Sequence, residues 1–231
     1  MTTSTTHVVP RSPQLKAAGL LLAASAVIFW LAEAVASLAW TDPAYSFSYH
    51  YISNLGVRGP VHTLHQDMNS PLAWVMNTGF FLFGIVAAAG IVALRGLHGW
   101  RRVASLMLAL LMAAGGVLLA LNPGDGQDAA GQIDYHAIGA MAAIVSGNLL
   151  VILLGRQHAR IGTSPRVGRL MVALGVVGLL ALPVYLSVAG STFGLIGLFE
   201  RAAVYPMFAA QVAAGVSIWR SRRLTGAGPA R

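Results

Sequence analysis

The run Ala17–Trp40, AAGLLLAASAVIFWLAEAVASLAW, decides the fold. Its only ionisable residue is Glu33. Arg11 and Lys16 ahead of it resemble the basic start of a signal peptide, and Ser37-Leu38-Ala39 resembles a cleavage site. The apolar part of a signal peptide, however, is about 7–15 residues long. This run is longer, and at about 1.5 Å per residue it crosses a hydrocarbon core of about 30 Å. It reads as a retained first membrane span.

Five runs of similar character follow, at 71–94, 103–121, 136–154, 169–187 and 198–219. Pro71 stands in the first turn of the second span, where its missing N–H costs nothing. Asn122-Pro123-Gly124 stops the third. The predicted architecture is all-α, a six-transmembrane-helix bundle over residues 17–219. A polar tail (1–16), one long loop (41–70) and a basic tail (220–231) complete the chain.

Composition agrees. The chain is 56% hydrophobic and 10% charged, against about 25% charged for a soluble domain, and its mean hydropathy is +0.69. A net charge of +8 in a soluble protein would point to nucleic acid. Here the basic residues flank apolar runs instead of forming a stripe, and nucleic acid is excluded as a partner. The absence of cysteine excludes disulfides, thiolate metal sites and cysteine nucleophiles. All Lys and Arg except Arg58 and Arg201 fall on one side of the six spans. By the positive-inside rule both termini are cytoplasmic and the loop 41–70 faces outward from the cell membrane. Asp42, Asp67, Asp125, Asp128 and Asp134 fall on the outer side.

Ionisable groups inside a span cost roughly 2.5–3.5 kcal/mol on insertion scales and need an explanation. Glu33 lies about 10 Å below the outer end of the first span, with Asn77 at similar depth on the second. His136 opens the fourth span, and Glu200, Arg201 and Tyr205 lie in the first turns of the sixth. The functional reading is an outward-opening polar cavity lined by Glu33, His136, Glu200 and Arg201 and roofed by the loop. The bland reading pairs Glu33 with Arg201, or leaves it protonated and bonded to Asn77 or a tyrosine. Asn148 and Gln211, at equal depth, are expected to hydrogen-bond to each other. Gly139, Ala143 and Gly147 make a small-residue ladder that permits close helix approach.

Within the loop, Tyr45, Phe47, Tyr49 and Tyr51 alternate with Ser46, Ser48, His50 and Ile52. In an extended segment this places four aromatics on one face. Ser53–Gly56 reads as a turn. His62-x-x-His65-x-Asp67 has spacing that suits a metal, with His50 or His136 as a further ligand. Histidines in a wet loop are usually just solvated, so neither metal nor cofactor is assigned. A serine nucleophile (Ser46, Ser48 or Ser53) beside His50 lacks the nucleophile-elbow signature.

The succession of motifs resembles a known family. It runs from the Tyr/Ser-rich stretch with His50 through Ile52-Ser53-Asn54-Leu55-Gly56, Ser70-Pro71, Asn77 and Asn122-Pro123 to His136 and Gly197-Leu198-Phe199-Glu200-Arg201. It is similar to the bacterial six-helix membrane proteins grouped as domain of unknown function 998 (DUF998). More distantly it resembles Frag1-type membrane proteins linked to lipid handling. The resemblance implies a six-helix bundle with its signature residues on the outer face.

Three functions follow as expectations. The first is binding or handling of a lipid or lipid-linked molecule, with Glu33, Asn77, His136, Glu200, Arg201, Tyr205, Ser53 and Asn54 around the ligand and Arg58 and Arg201 on phosphate. The second is a lipid-directed hydrolase or transferase, with His136 or His50 as base and Glu33 or Glu200 as its partner. The third is a subunit that docks a membrane-protein partner, or a second copy, through an exposed aromatic patch.

Overall fold

The computed structural model describes residues 8–10, 12–126, 133–220 and 222–224. Arg11, Asp128 and Arg231, counted in the charge balance above, lie outside the described residues. Six helices are long and apolar enough to cross a membrane. They are α1 (Pro13–Ala39), α2 (Ala73–Ala93), α3 (Gly99–Leu121), α4 (Tyr135–Arg156), α6 (Pro165–Val188) and α7 (Ile196–Arg220), with a short α5 (His158–Ile161) between α4 and α6. Strands β1 (Val8–Pro10) and β4 (Arg222–Leu224) pair at the end carrying the termini. In the loop, β2 (Val61–Thr63) and β3 (Gln66–Met68) form an antiparallel hairpin beside a 3-10 turn at Ser53–Gly56.

Each long helix packs on its neighbour in sequence, and α7 returns to pack on α1. The six therefore form a closed ring, in which α4 also touches α7. Short connections make successive helices antiparallel neighbours, as in up-and-down bundles. Lipid supplies no hydrophobic drive between helices, so close contact has to come from small residues. Gly115 of α3 faces the Gly139 carbonyl and Ala143 of α4, and Gly84 of α2 faces the Ala113 backbone of α3. Gly155 and Gly175, on α4 and α6, hold those two helices together in the half away from the loop. Side chains such as Leu20, Leu110 and Leu180, each more than half exposed, form the lipid-facing surface.

Helix ends extend beyond the apolar runs wherever a polar residue caps them. Ser164 accepts from the Val167 N–H, and Pro165 occupies the first turn of α6, so that helix starts four residues before the apolar run. Arg102 lies inside α3 and donates to the carbonyls of Ile91, Val92 and Leu94. The guanidinium thus satisfies the open C-terminal carbonyls of α2. Asn148 and Gln211 do not bond to each other. The Asn148 amide donates to the Ile144 and Ala203 carbonyls, which joins α4 to α7, while Gln211 contacts the Met112 sulfur.

Adding a side chain at the α3–α4 crossing should separate the helices. Gly115→Leu is expected to destabilise the protein by about 1–3 kcal/mol, the range for overpacking a close contact. Thermal unfolding in a mild detergent would read this as a lowered transition, and Leu110→Ala on the lipid face as almost none.

Candidate functional site: a roofed chamber at the loop end

The loop is held down by one side chain. Arg201 is 5% exposed and Glu33 2%. Arg201 Nε and Nη2 donate to Glu33 Oε1 at 3.1 and 2.8 Å, and Tyr205 Oη donates to Glu33 Oε2 at 2.7 Å. Arg201 Nη1 donates to the carbonyls of Phe47, His50 and Gly197, and Nη2 also donates to Tyr45 Oη. The guanidinium further sits 4.8 Å from the Phe47 ring centroid. A guanidinium carries five N–H donors in a fixed fork, and every nitrogen here is engaged within the protein.

This clamp shapes the aromatic stretch. The alternation from Tyr45 to Ile52 predicts an extended segment, but the chain turns instead, with the Tyr49 and His50 N–H groups donating to the Ser46 carbonyl. His50 is buried and packs against both Trp40 and Tyr45, at 5.2 and 5.3 Å between ring centroids, in a triangle whose third side is 5.4 Å. Its Nδ1 accepts from the Ser46 N–H, so the proton sits on Nε2. Burial, and then the Arg201 charge, push its pKa below the ordinary value. Burial likewise raises the Tyr45 phenol far above its usual range. Three of the four aromatics fold inward, and Phe47 remains 46% exposed.

The Ile52–Gly56 and Gly197–Arg201 motifs meet here. The Ile52 N–H donates to Glu200 Oε2 at 2.5 Å, and the Leu198 N–H donates to the Ser48 carbonyl. A Cβ on Gly197 would collide with the His50 and Phe47 carbonyls, so only glycine lets the loop backbone reach α7. Asn77 donates to the Gly56 carbonyl at 2.9 Å and anchors the other side of the 3-10 turn. Gln66, buried at 1% exposure, accepts from Asn54 and donates to the Tyr49 carbonyl. Leu64 and His65 form the hairpin tip at φ 50° and 60°, the values of a two-residue type I′ turn. A leucine there is strained, which happens mostly where function or packing demands it.

Under this roof lies a chamber of about 400 Å³. Phe29, Phe83, Ile144 and Met207 line its apolar part. Its polar part is lined by Tyr51, Ser53, Asn54, His136, Tyr185 and Glu200. His136 Nδ1 lies 2.8 Å from the Asn122 carbonyl, to which it donates, and its Nε2 has no hydrogen bond among the described residues. Glu200, 8% exposed, has one hydrogen bond among the described residues, from Ile52. Several lining residues of the chamber are also exposed. Ala137 and Met141 of α4, Leu186 of α6 and Ala189 just past its end line it and are exposed. The glycines that hold α4 to α6 lie farther from the loop, and Pro183 removes a hydrogen bond from α6 near the chamber.

The structure brings His136, Glu200, Ser53 and Asn54 to one chamber, although no hydrogen bond joins His136 to Glu200. Glu33, Arg201 and Tyr205 form a closed cluster outside its wall, and His50 and Asn77 brace the roof. Arg58 is exposed. His62 Nδ1 and Asp67 Oδ1 are 2.7 Å apart as an exposed cross-strand pair, with His65 at the tip. Among the described residues no three His, Cys, Asp or Glu side chains converge on a point suited to a metal. Gln66 is a participant that sequence reasoning did not single out, and Tyr51 and Gly197 entered it only as members of the aromatic alternation and of the Glu-Arg motif. For Gly197 the signal was present, because it heads the Glu-Arg motif.

Fold and site together define a multi-pass membrane protein with a roofed chamber among its helices. The chain belongs to the family described as proteins of unknown function (DUF998), which it matches over residues 11–217. No curated protein and no solved structure matches it.

Removing one member of a buried pair strands the other, at about 3–5 kcal/mol. Glu33→Gln and Arg201→Met should each lower the unfolding transition strongly, and the double variant by less than their sum. A double-mutant cycle in detergent measures the difference. Acid should also loosen the roof. Because the His50 pKa is depressed on folding, its contribution is complete above the unfolded value of about 6.5 and is lost as pH falls below that. His50→Gln should flatten this acid-side slope in unfolding measured against pH.

Proposed function

We propose that the protein binds a membrane amphiphile, a lipid or lipid-linked molecule, with its polar end under the loop and its chain along the apolar wall. The observation that carries this reading is the exposure of chamber-lining residues on α4 and α6, Ala137, Met141 and Leu186, which supports a lateral way in from lipid between these helices. The volume, about 400 Å³, falls within the range of small-molecule sites. The inward turn of the aromatic stretch favours a roof over a docking patch for a protein partner. We further propose that the loop end faces outward from the cell membrane with both termini in the cytoplasm, which the positions of Lys and Arg support.

A second reading has one observation in its favour. His136 presents an Nε2 lone pair to the same chamber that Glu200 and Ser53 line, which suits a general base. In that case the amphiphile is a substrate. His136→Ala would then raise the amount of intact ligand retained by the protein, whereas under pure binding it would leave that amount equal or lower.

The test of the first reading is to fill the chamber. Ala140 lines it from α4, and Ala140→Trp should remove about 90% or more of the amphiphile that copurifies with the wild type, equivalent to roughly 1.4 kcal/mol or more of binding. Mass spectrometry of organic extracts reads this, with unchanged thermal unfolding as the control. Equal copurification in both proteins would overturn the reading.

A further inference from the structure

The charges at the loop end do not balance. Glu33 and Glu200 are both buried, and Arg201 is the guanidinium beside them. That guanidinium donates to Glu33, to two tyrosine hydroxyls and to three carbonyls, and makes no hydrogen bond to Glu200. Glu200 is left with the Ile52 N–H on one oxygen, while the side chain lines the chamber. A buried carboxylate without an ion-pair partner is costly, and a cation delivered by a ligand removes the cost.

The rest of the polar wall suits a cation as well. Tyr51 and Tyr185 line the chamber with ring centroids 6.2 Å apart and planes 74° apart, so they present two aromatic surfaces at an angle. Such surfaces attract an ammonium group within about 6 Å. Tyr51 is fixed by the Gly190 N–H, which donates to its hydroxyl oxygen at 2.8 Å. His136 adds an acceptor, the Nε2 lone pair. Among the described residues no Lys or Arg lines the chamber, so a phosphate there would meet the Glu200 carboxylate without a counter-charge.

We propose that the chamber selects amphiphiles whose polar end is a cationic nitrogen, held by Glu200 and faced by Tyr51 and Tyr185. This rests on the reading that the chamber holds an amphiphile at all. It replaces the expectation of a phosphate on Arg201 with a site of opposite sign, because Arg201 is spent on the roof.

Three single-chain probes of equal length, dodecylamine, dodecanol and dodecyl phosphate, would be compared on the full chain in maltoside micelles near pH 7 by native mass spectrometry. Dodecylamine is expected to bind roughly tenfold or more tightly than dodecyl phosphate. In Glu200→Gln, whose amide oxygen still accepts from Ile52, the amine should fall to within about twofold of dodecanol while dodecanol itself is unchanged. Tyr185→Leu should weaken the amine and spare the alcohol. Dodecyl phosphate binding as well as the amine in the wild type would overturn the proposal without any variant, and so would an amine preference that survives Glu200→Gln. If none of the three probes binds, the chamber reading falls along with it. If alcohol and phosphate bind as well as the amine, the cationic site alone falls.

Discussion

The loop end depends on the saturation of one guanidinium. Arg201 sits where water is scarce, and its donors would be very costly if left open. They are closed by a carboxylate from α1, two tyrosines, and backbone carbonyls of the loop and of α7 itself. An ion pair of this kind adds little net stability over a well-packed apolar pair. It does give the loop a single docked position, since a fork of five donors accepts few arrangements. The roof, the chamber and the placement of Glu200 all follow from that position.

The bundle was legible in the sequence because a span needs about 20 apolar residues, and six such runs stand apart from one another. Its ends were less so. The apolar run of α6 begins at Arg169, but Ser164 and Pro165 set the start by capping, which no hydropathy average detects. Glu33, Glu200 and Arg201 were conspicuous because charge at membrane depth demands a reason. Pairing of Glu33 with Arg201, which the structure has, was one of two readings open to the sequence. The choice between it and a cavity-lining role was not readable, because that depends on how far α1 and α7 approach and on where the loop carbonyls arrive. Asn148 and Gln211 show the same limit. Equal depth placed them side by side, but depth says nothing of rotation about the helix axis, and each found a different partner.

The two halves of the α4–α6 seam differ. Away from the loop, Gly155 and Gly175 bring the backbones together. Toward the loop, Ile144 of α4 and Tyr185 of α6 line the chamber. Side chains in the first half lose few rotamers on packing, which suits a rigid base. The second half leaves a chamber with an apolar wall.

The roof belongs to the connection between the first two helices, yet its fasteners are on the last. Ile52 and Glu200 are 148 positions apart in the chain, and Glu33 and Arg201 are 168 apart. Chains are made from the N-terminus onward, so the loop must wait, undocked, while four more helices are inserted. Glu33 waits with it, in the membrane and without its counter-charge. Assembly therefore finishes at the chamber. A ribosome stalled before α7 would leave five helices that pack in sequence, an open ring, and a site with neither lid nor acid.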